Sequence, residues 1–579
     1  MTQTMRVGRY LTTRLEQLGV GHVFSVPGDY TSELLEIIDN DSGIERIGNC
    51  NELNAGYAAD GYARTHGLGA VCVTSGVGAF SLLNAVAGSH AEMIPVVVII
   101  GTLSNSSRLK EVNAGERFHH QVSVANKNQT VYEDVTVARE CISNPLMAPE
   151  QIDRALQACI SKSLPVLIEI TQDCYRMPCS ALEGRIKRVP PYTPLSELKK
   201  IKADNKYAAQ IVDAVENAAK ASYEKLRGAK APLFWMGHEI GRYHLQDKAK
   251  ELLQLTGIPF VTSLLGKSVL AEDTPGFLGV YEGVFTSPSA RPYIDNSDCI
   301  VALGVWNTDI NTLGIETYES GNPADVFASR DVVKVGLDLY VQVSLENFID
   351  SLIAFAKDEP VYKKYDVRPV VQQAVVDEDK ITYDGFMTEL NSYLKPDNIV
   401  VADIGISANG NSAFMTINQQ QGYHIQALWA SIGWSVPAGL GASFVPGART
   451  IVIVGDGAFK LTCQEIATMV HYNRNTIVFV MNNGVYAVEQ MFLDPAPFQS
   501  ESNPFEAANV LQRWDYEGLM NGFSNKEKAH GRSAKVRTRH DLRQTLHDID
   551  KHLETCWLVD IHLDERDYPN AWNAIVHKI

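Results

Sequence analysis

The sequence lacks the features of secreted, membrane-bound and nucleic-acid-binding proteins. Its nine cysteines are scattered from Cys50 to Cys556 without a CxxC spacing, so neither a disulfide framework nor a zinc site is indicated. Residues 1–14 contain no apolar core of a signal peptide, and the longest apolar runs are only as long as a strand. Lys and Arg total 51 against 68 Asp and Glu, a net charge of −17. We therefore expect a cytoplasmic chain that binds neither membrane nor nucleic acid.

Length and the alternation of elements predict several domains of the α/β class. A chain of 579 residues exceeds the size at which a single hydrophobic core stops growing. Helix-like and strand-like segments alternate along it, which favours parallel sheets flanked by helices. Stretches that contain proline, at 189–194 and 357–380, are typical of linkers. We predict three doubly wound parallel-sheet domains over residues 1–188, 195–357 and 380–579.

Within these domains the apolar pattern predicts individual elements. Helices are expected at residues 9–18, 32–39 and 196–225. Strands are expected at residues 23–26, 70–74, 95–100, 232–236, 258–261, 299–303, 332–336, 398–401, 450–454 and 476–481.

Polar residues follow two consecutive apolar strands of the last domain. In TIVIVGDGAFKLTCQE the strand ends at Val454, and GDG makes a tight turn whose N–H groups can approach a phosphate. In TIVFVMNNGVYAVEQ the next strand ends at Asn482 and Asn483. At the carboxyl edge of a parallel sheet, their oxygens would suit a Mg²⁺ ion that also binds ligand phosphates. The alternative is an ordinary glycine turn and an ordinary loop start, which either motif alone would favour.

The GDG motif with the downstream NN resembles the cofactor motif of thiamine-diphosphate enzymes, and the resemblance covers nearly the whole chain. It is closest to pyruvate, indolepyruvate and branched-chain 2-oxo acid decarboxylases. The matching segments are VPGDY at 26–30, NELNAGYAADGYAR at 51–64, IGWSVPAG at 432–439 and WDYEGLM at 514–520. The resemblance implies a pyrimidine-binding, a central and a diphosphate-binding domain. It also implies active sites between the first and third domains of two subunits, hence a homodimer at least and commonly a homotetramer.

By this resemblance the cofactors are thiamine diphosphate and Mg²⁺. Asp456, the Asn483 side chain and the Val485 carbonyl correspond to the Mg²⁺ ligands. The Ala430 carbonyl would accept a hydrogen bond from the 4′-amino group, and Ile432 would hold the cofactor in its bent shape, although plain core packing is an alternative for Ile432. The turn residues expected to contact the diphosphate, besides Asp456, are Gly455, Gly457 and Ala458.

Glu52 resembles the family glutamate that activates the cofactor. It would hydrogen-bond the pyrimidine N1′ and so favour the imino form of the 4′-amino group, the base for the thiazolium C2. A partly buried carboxyl can share a proton with a ring nitrogen at neutral pH because desolvation raises its pKa. The alternative is a solvated helix glutamate, the commonest environment of Glu.

Two further acids resemble family residues that handle the substrate, a 2-oxo acid. Glu489 would lie over the reacting carbon, shielded by Val488 and Phe492, disfavour a charged substrate carboxylate and later supply a proton. Asp29 would come from the partner subunit and take part in proton transfer and product release. For Asp29 the alternative is a common turn aspartate after proline and glycine.

The sequence departs from the family at its pair of adjacent histidines. The corresponding text is RLKEVNAGERFHHQ, and a register anchored on Phe118 places Lys110 and Glu111 at the histidine positions. Either a shifted loop restores His119 and His120 to the site, or the site lacks them and protonates its intermediate differently. We favour the second interpretation, with the two histidines as a surface or interface pair.

Three other departures bear on specificity. Ile404 and Ile406 make the DIGIS patch more apolar than usual, and Ala408 replaces a bulky aromatic residue of some relatives, which could leave a roomier donor pocket. The segment 495–513 looks longer than in close relatives and could cap the entrance. Pyruvate is therefore not favoured as the only substrate.

The leading hypothesis is non-oxidative decarboxylation of a 2-oxo acid to an aldehyde. Its closest rival is a carboligase that adds the decarboxylated intermediate to a second carbonyl compound and forms an acyloin, which a missing histidine pair would favour. An acetolactate-synthase-like enzyme fits the central domain less well. A catalytically inactive scaffold or regulatory subunit is the alternative of another class, and the presence of Glu52, Asp456 and Asn483 together speaks against it.

Overall fold

The fold consists of three large sheets that follow one another along the chain. The computed structural model describes residues 4–122, 127–189, 192–312, 324–360, 380–409, 412–524 and 530–577. Clusters of buried apolar residues line both faces of each sheet, so the α/β class with three doubly wound sheets is confirmed. No helix among the described residues has the length and apolarity needed to cross a bilayer. The predicted domain limits stay predictions, and residues 190–191 and 361–379 of the two linkers lie outside the described residues.

The first sheet is parallel, with strand order β3-β2-β4-β5-β7-β6, beside a two-stranded antiparallel ribbon of β1 and β8. Every residue of β4, β5 and β7 is buried, as expected for apolar runs covered on both faces. The strands are β1 (Thr4–Arg6), β2 (His22–Ser25), β3 (Glu45–Gly48), β4 (Gly69–Thr74), β5 (Val96–Thr102), β6 (Ala138–Ile142), β7 (Val166–Thr171) and β8 (Pro178–Ser180). The helices are α1 (Val7–Gln17), α2 (Ser32–Asp41), α3 (Glu52–His66), α4 (Val77–Ala91), α5 (Asn105–Ala114), α6 (Lys127–Val131) and α7 (Ala148–Lys162).

The central sheet is mixed, with order β11-β10-β9-β12-β13-β14-β15. It is parallel from β11 to β13, whereas β13, β14 and β15 pair antiparallel because the intervening turns are too short for a crossover. The strands are β9 (Pro232–Met236), β10 (Phe260–Thr262), β11 (Phe277–Val280), β12 (Cys299–Leu303), β13 (Val326–Ser329), β14 (Val332–Val335) and β15 (Asp338–Val341).

The helix expected at 196–225 is two helices, because the Asn205 side chain accepts hydrogen bonds from the N–H groups of Tyr207 and Ala208 and so starts a new one. The described helices of this unit are α8 (Leu195–Ile201), α9 (Lys206–Gly228), α10 (Glu239–Arg242), α11 (Gln246–Thr256), α12 (Arg291–Asp295) and α13 (Leu345–Asp358).

The third sheet is parallel, with order β17-β16-β18-β19-β21-β20. Its strands are β16 (Asn398–Ala402), β17 (Tyr423–Ile425), β18 (Arg449–Gly455), β19 (Ile477–Asn482), β20 (Gly531–Val536) and β21 (Cys556–His562). The described helices are α14 (Tyr383–Tyr393), α15 (Ser435–Ala442), α16 (Asp456–Thr462), α17 (Glu465–His471), α18 (Ala487–Leu493), α19 (Ala496–Gln499), α20 (Tyr516–Phe523), α21 (Arg539–Lys551) and α22 (Asn573–Val576).

Helices α3 and α15 pack directly on each other and join the first and third sheets. A Cβ atom on Gly61 would lie 2.2 Å from the Ala438 carbonyl oxygen, and one on Gly441 would lie 1.9 Å from the Ala58 carbonyl oxygen. Only glycine permits so close an approach of the two backbones. The two helices therefore fix the start of α3, where Glu52 lies, and the loop before α15, which carries Ile432.

Candidate active site

The two loops predicted to bind the metal lie side by side. Strand β18 ends at Gly455, strand β19 ends at Asn482, and the two strands are parallel neighbours. The N–H group of Gly484 donates a hydrogen bond of 3.2 Å to Asp456 Oδ2, which joins the two turns directly. The carboxyl edge of the third sheet therefore brings Asp456 and Asn483 together.

Asp456 is a buried carboxylate with no cation in contact among the described residues. It is 2 % exposed, and its hydrogen-bond donors there are the N–H groups of Gly457, at 3.1 Å, and Gly484. Burial raises the pKa of Asp456 to about 6, partly offset by Lys460. Asn483 is also buried, and its Oδ1 accepts only a long hydrogen bond of 3.4 Å, from Val485 N–H. Two buried oxygen donors of this kind fit a hard divalent cation.

The turn itself leaves little room for side chains beside the backbone. A Cβ atom on Gly457 would lie 2.2 Å from the ring of Tyr486, whereas one on Gly455 would meet nothing within 4 Å. Ala458, the next residue, is 6 % exposed. Gly457 is therefore required by the packing of Tyr486, and the open side at Gly455 leaves the backbone accessible, as an approaching phosphate needs.

A strand-like segment, residues 509–513, lies along the loop after β19. Tyr486 N–H donates to the Asn509 carbonyl at 2.8 Å, and Leu511 N–H donates to the Gly484 carbonyl at 2.8 Å. The Arg513 guanidinium donates to the Asn483 carbonyl at 3.2 Å. This is the end of the segment 495–513 that we expected at the entrance, and it fixes the loop that carries Asn483 and Val485.

Ala430 and Ile432 lie in the loop before α15, and Asp403 holds this loop. Ala430 has a φ of +54°, a left-handed conformation that strains a residue with a side chain. Ile432 is 37 % exposed in the single chain, so its alternative role as a core residue is not what the structure shows. The buried Asp403 carboxylate accepts hydrogen bonds from the N–H groups of Gly433, at 3.1 Å, and Ser435, at 3.0 Å.

Asp403→Asn should gain stability relative to the unsubstituted chain as the pH rises from 5 to 7. Burial raises the pKa of Asp403 from 3.8 to about 6, so the folded chain holds this proton more tightly than the unfolded chain. This proton therefore stabilises the folded chain at low pH, and the stabilisation is lost as the pH rises through 6. Between pH 5 and 7 the free energy of unfolding of the unsubstituted chain falls by about 1 kcal/mol for this reason, whereas that of the asparagine variant does not.

Thermal unfolding at both pH values measures this effect. We expect the difference in Tm between variant and unsubstituted chain to move by about 2 °C in favour of the variant. Asp134→Asn, at an exposed turn, is the control and should show a constant difference. An equally constant difference for Asp403→Asn would contradict the prediction.

Glu52 is the first residue of α3 and lies at the carboxyl edge of the first sheet. The preceding Asn51 caps the helix by accepting a hydrogen bond of 2.8 Å from Asn54 N–H. Glu52 is half-buried, and a Cβ atom on Gly78, at the start of α4, would lie 3.4 Å from its Oε1. Its carboxylate therefore lies between the starts of two helices and is not fully solvated.

Asp29 lies against His119 and His120. Its Oδ2 is 2.6 Å from His119 Nε2, and its Oδ1 is 3.6 Å from His120 Nε2. Tyr30 stacks on His119, with ring centroids 5.1 Å apart, and its hydroxyl donates to the His119 carbonyl. The side chains of Asp29, His119 and His120 are 47 %, 61 % and 36 % exposed in the single chain.

The expectation that Lys110 and Glu111 replace the histidine pair was therefore wrong. Both residues lie in α5, which ends before Gly115, whereas the side chains that contact Asp29 are His119 and His120. The loop after α5 is long enough to return to Asp29, and there it places His119 and His120. A register anchored on Phe118 alone took no account of that loop length.

Glu489 lies in the first turn of α18 and is exposed in the single chain. Glu489 and Asp456 lie in helices that flank the third sheet, whereas Asp29 and Glu52 lie in helical segments beside the first sheet. Sequence reasoning missed Asp403, Arg513 and the buried Glu465. The one signal that could have found Glu465 is its place in CQE, an acid beside apolar helix residues in a motif already singled out.

Comparison with known proteins identifies the class. Residues 5–124 match the N-terminal thiamine pyrophosphate-binding domain of thiamine pyrophosphate enzymes, residues 219–348 match their central domain, and residues 403–560 match their C-terminal binding domain. The chain therefore belongs to the thiamine pyrophosphate enzymes. Its cofactor is thiamine diphosphate with a divalent metal ion, and the buried oxygens of Asp456 and Asn483 fit that ion.

Within this family the chain is similar to pyruvate decarboxylases. It is 30 % identical to the pyruvate decarboxylase of Aspergillus parasiticus, over 99 % of this chain and 97 % of that protein. It is 30 % identical to pyruvate decarboxylase isozyme 3 of Saccharomyces cerevisiae, over 90 % and 89 % of the two chains. It is 29 % identical to pyruvate decarboxylase 4 of Arabidopsis thaliana, over 91 % and 83 %.

Proposed function

We propose that the chain decarboxylates a 2-oxo acid without oxidation and releases an aldehyde, with thiamine diphosphate and Mg²⁺ as cofactors. The similarity to pyruvate decarboxylases over nearly the full length supports the reaction class. The observation that carries aldehyde release is the contact of Asp29 with His119 and His120. The reaction replaces a carboxylate with a proton, and a carboxylate in contact with two imidazoles can pass a proton to the reacting carbon.

The roles of the other residues follow from their positions. Asp456, Asn483 and the Val485 carbonyl would hold Mg²⁺, and the N–H groups around Gly457 would meet the diphosphate. When bound, the cofactor supplies a carbon nucleophile and accepts the electron pair left by carbon dioxide. Glu52 would hold a proton at the pyrimidine N1′, and the Ala430 carbonyl would accept a hydrogen bond from the 4′-amino group.

Glu489 would act on the substrate side. A carboxylate at this place disfavours the charged carboxylate of a bound 2-oxo acid and so favours its departure as neutral carbon dioxide. The apolar Ile404 lies half-buried near this helix, whereas Ile406 and Ala408 are buried in the core of the third sheet.

We further propose a homodimer at least, and a homotetramer as the complete assembly. Asp29, His119, Glu489 and Ile432 are all exposed in the single chain, although catalysis of this kind needs a shielded site. A second copy that brings its first domain over the third domain of this chain would shield them. We also propose a cytoplasmic location, because the nine cysteines are scattered without the spacing of a disulfide framework.

An assay with purified protein, thiamine diphosphate, Mg²⁺ and a panel of 2-oxo acids tests the function. We expect carbon dioxide and aldehyde as the main products. His119→Ala should lower aldehyde release by about 10²-fold and raise the acyloin fraction when an acceptor aldehyde is added, because protonation becomes slow. His547→Ala, on the exposed face of α21, is the control and should behave like the unsubstituted chain.

The product pattern separates the alternatives. Acyloin as the main product of the unsubstituted chain would support the carboligase instead, although the histidine pair removes the argument that favoured it. No carbon dioxide from any 2-oxo acid would refute the decarboxylase and support the inactive scaffold.

A further inference from the structure

A buried carboxylate of the third domain holds the turn that carries Glu52. Glu465 is the first residue of α17 and is 0 % exposed. Its Oε1 accepts hydrogen bonds from Cys50 N–H, at 2.9 Å, and from the Asn54 side-chain amide, at 3.0 Å. Its Oε2 accepts one from the Asn49 side-chain amide, at 3.1 Å. Both oxygens of Glu465, a residue of the third domain, thus accept hydrogen bonds from residues 49–54 of the first domain.

These three donors lie on both sides of Glu52. Residues 49–51 lead out of β3, and Asn54 is the third residue of α3. The same α17 helix is followed by Tyr472, whose hydroxyl accepts a hydrogen bond of 2.8 Å from Gly48 N–H. The segment 48–54, which contains Glu52, is therefore attached to the third domain at both of its ends. Glu465 makes three of these four hydrogen bonds.

We propose that Glu465 is a positioning residue for Glu52, an inference that rests on the proposed function. Among the described residues, the Glu465 carboxylate accepts its hydrogen bonds from Asn49, Cys50 and Asn54 and from none of the predicted metal ligands. It acts by fixing the backbone at Cys50 and the first turn of α3, and these determine where the Glu52 carboxylate points. Loss of the acceptor removes a partner from the Cys50 N–H group and the Asn49 amide, both in partly buried hydrogen bonds, and from the buried Asn54 amide. The turn must move to pair the buried amide again.

Glu465→Gln is the variant that tests the role, because it keeps the size of the side chain and replaces one acceptor oxygen with a donor. We expect kcat to fall by about 10²-fold, the effect of a misplaced catalytic group, while the Kd of thiamine diphosphate with Mg²⁺ changes by less than about threefold. The near-ultraviolet circular dichroism of the bound cofactor should lose its imino contribution, as in Glu52→Gln. The variant Glu52→Gln/Glu465→Gln should be no slower than Glu52→Gln alone.

Glu272→Gln is the matched control. Glu272 is equally buried and accepts hydrogen bonds from Lys267 and from Ile417 N–H, but it lies at the contact of the central and third domains. This variant should lose thermal stability and keep its kcat and its dichroism. Asn54→Ala is the second test variant, for use if Glu465→Gln fails to fold. It removes one of the three donors and should change kcat and dichroism in the same direction as Glu465→Gln.

Specific results would overturn the inference. Normal kcat in Glu465→Gln, additive losses in the double variant, or a loss of Tm without any change in dichroism would each show that Glu465 does not act through Glu52. An unsubstituted chain without decarboxylase activity would refute the proposed function instead. The dichroism of the bound cofactor, which needs no turnover, would then still decide the role of Glu465.

Discussion

Glu52→Gln lowers kcat by about 10²- to 10⁴-fold, the range expected when a group that moves a proton is lost. The substitution keeps the shape of the side chain, and Asn51 still caps α3 through Asn54 N–H, so the helix should start at the same residue. What the amide cannot do is share a proton with the pyrimidine N1′ as a carboxyl does. The Glu52 carboxyl lies half-buried beside Gly78, between the starts of α3 and α4, which fixes its position for this contact.

Steady-state kinetics and a cofactor titration together check this expectation. The Kd of thiamine diphosphate should change by less than about tenfold, since the metal ligands lie in the third domain. Glu45→Gln, an exposed position on β3 of the same sheet, is the control and should leave kcat unchanged. If Glu52→Gln turns over at nearly the normal rate, Glu52 is the solvated helix glutamate of the alternative interpretation.

The strands of the fold could be predicted because buried parallel strands are continuous apolar runs. The strands predicted at 232–236 and 299–303 match β9 and β12 to the residue. The antiparallel end of the central sheet could not be recognised, since an apolar run such as 332–336 has the same pattern in either direction. The division of the helix at 196–225 depends on the Asn205 cap, a single polar residue in an otherwise helical pattern.

In the site, too, contacts between segments close in sequence could be predicted, whereas contacts between distant segments could not. That the GDG and NN turns would lie together follows from two strands that are close in sequence, and the hydrogen bond from Gly484 to Asp456 shows the contact. The hydrogen-bond partners of Asp403 and Glu465 come from segments about 30 and about 415 residues away, and no local sequence pattern predicts these contacts. The position of His119 and His120 was mispredicted for a related reason. Their distance from Asp29 depends on the path of the loop after α5, which the spacing of residues in the sequence does not determine.

Asp456→Asn abolishes cofactor binding without destabilising the chain that carries no cofactor. In the folded chain, burial raises the pKa of Asp456 from 3.8 to about 6, so its ionised form at pH 7 is disfavoured by up to about 3 kcal/mol. Because the folded pKa is raised, this group contributes stability only at low pH and loses it as the pH rises through 6. Asparagine carries no charge to bury, and it keeps one oxygen to accept from Gly457 N–H or Gly484 N–H.

Two measurements with opposite expected signs therefore test the role of Asp456. At pH 7 the Tm without cofactor should be equal to or above that of the unsubstituted chain. The increase in Tm on adding thiamine diphosphate and Mg²⁺ should disappear, and affinity for the pair should fall by at least about 10²-fold, because a neutral amide is a weak ligand for a hard cation. Asp548→Asn, exposed on α21, should keep both the affinity and the increase in Tm. A variant that still gains stability from the cofactor would place the metal elsewhere. One that loses Tm without cofactor would make Asp456 a structural acid, as Asp403 is.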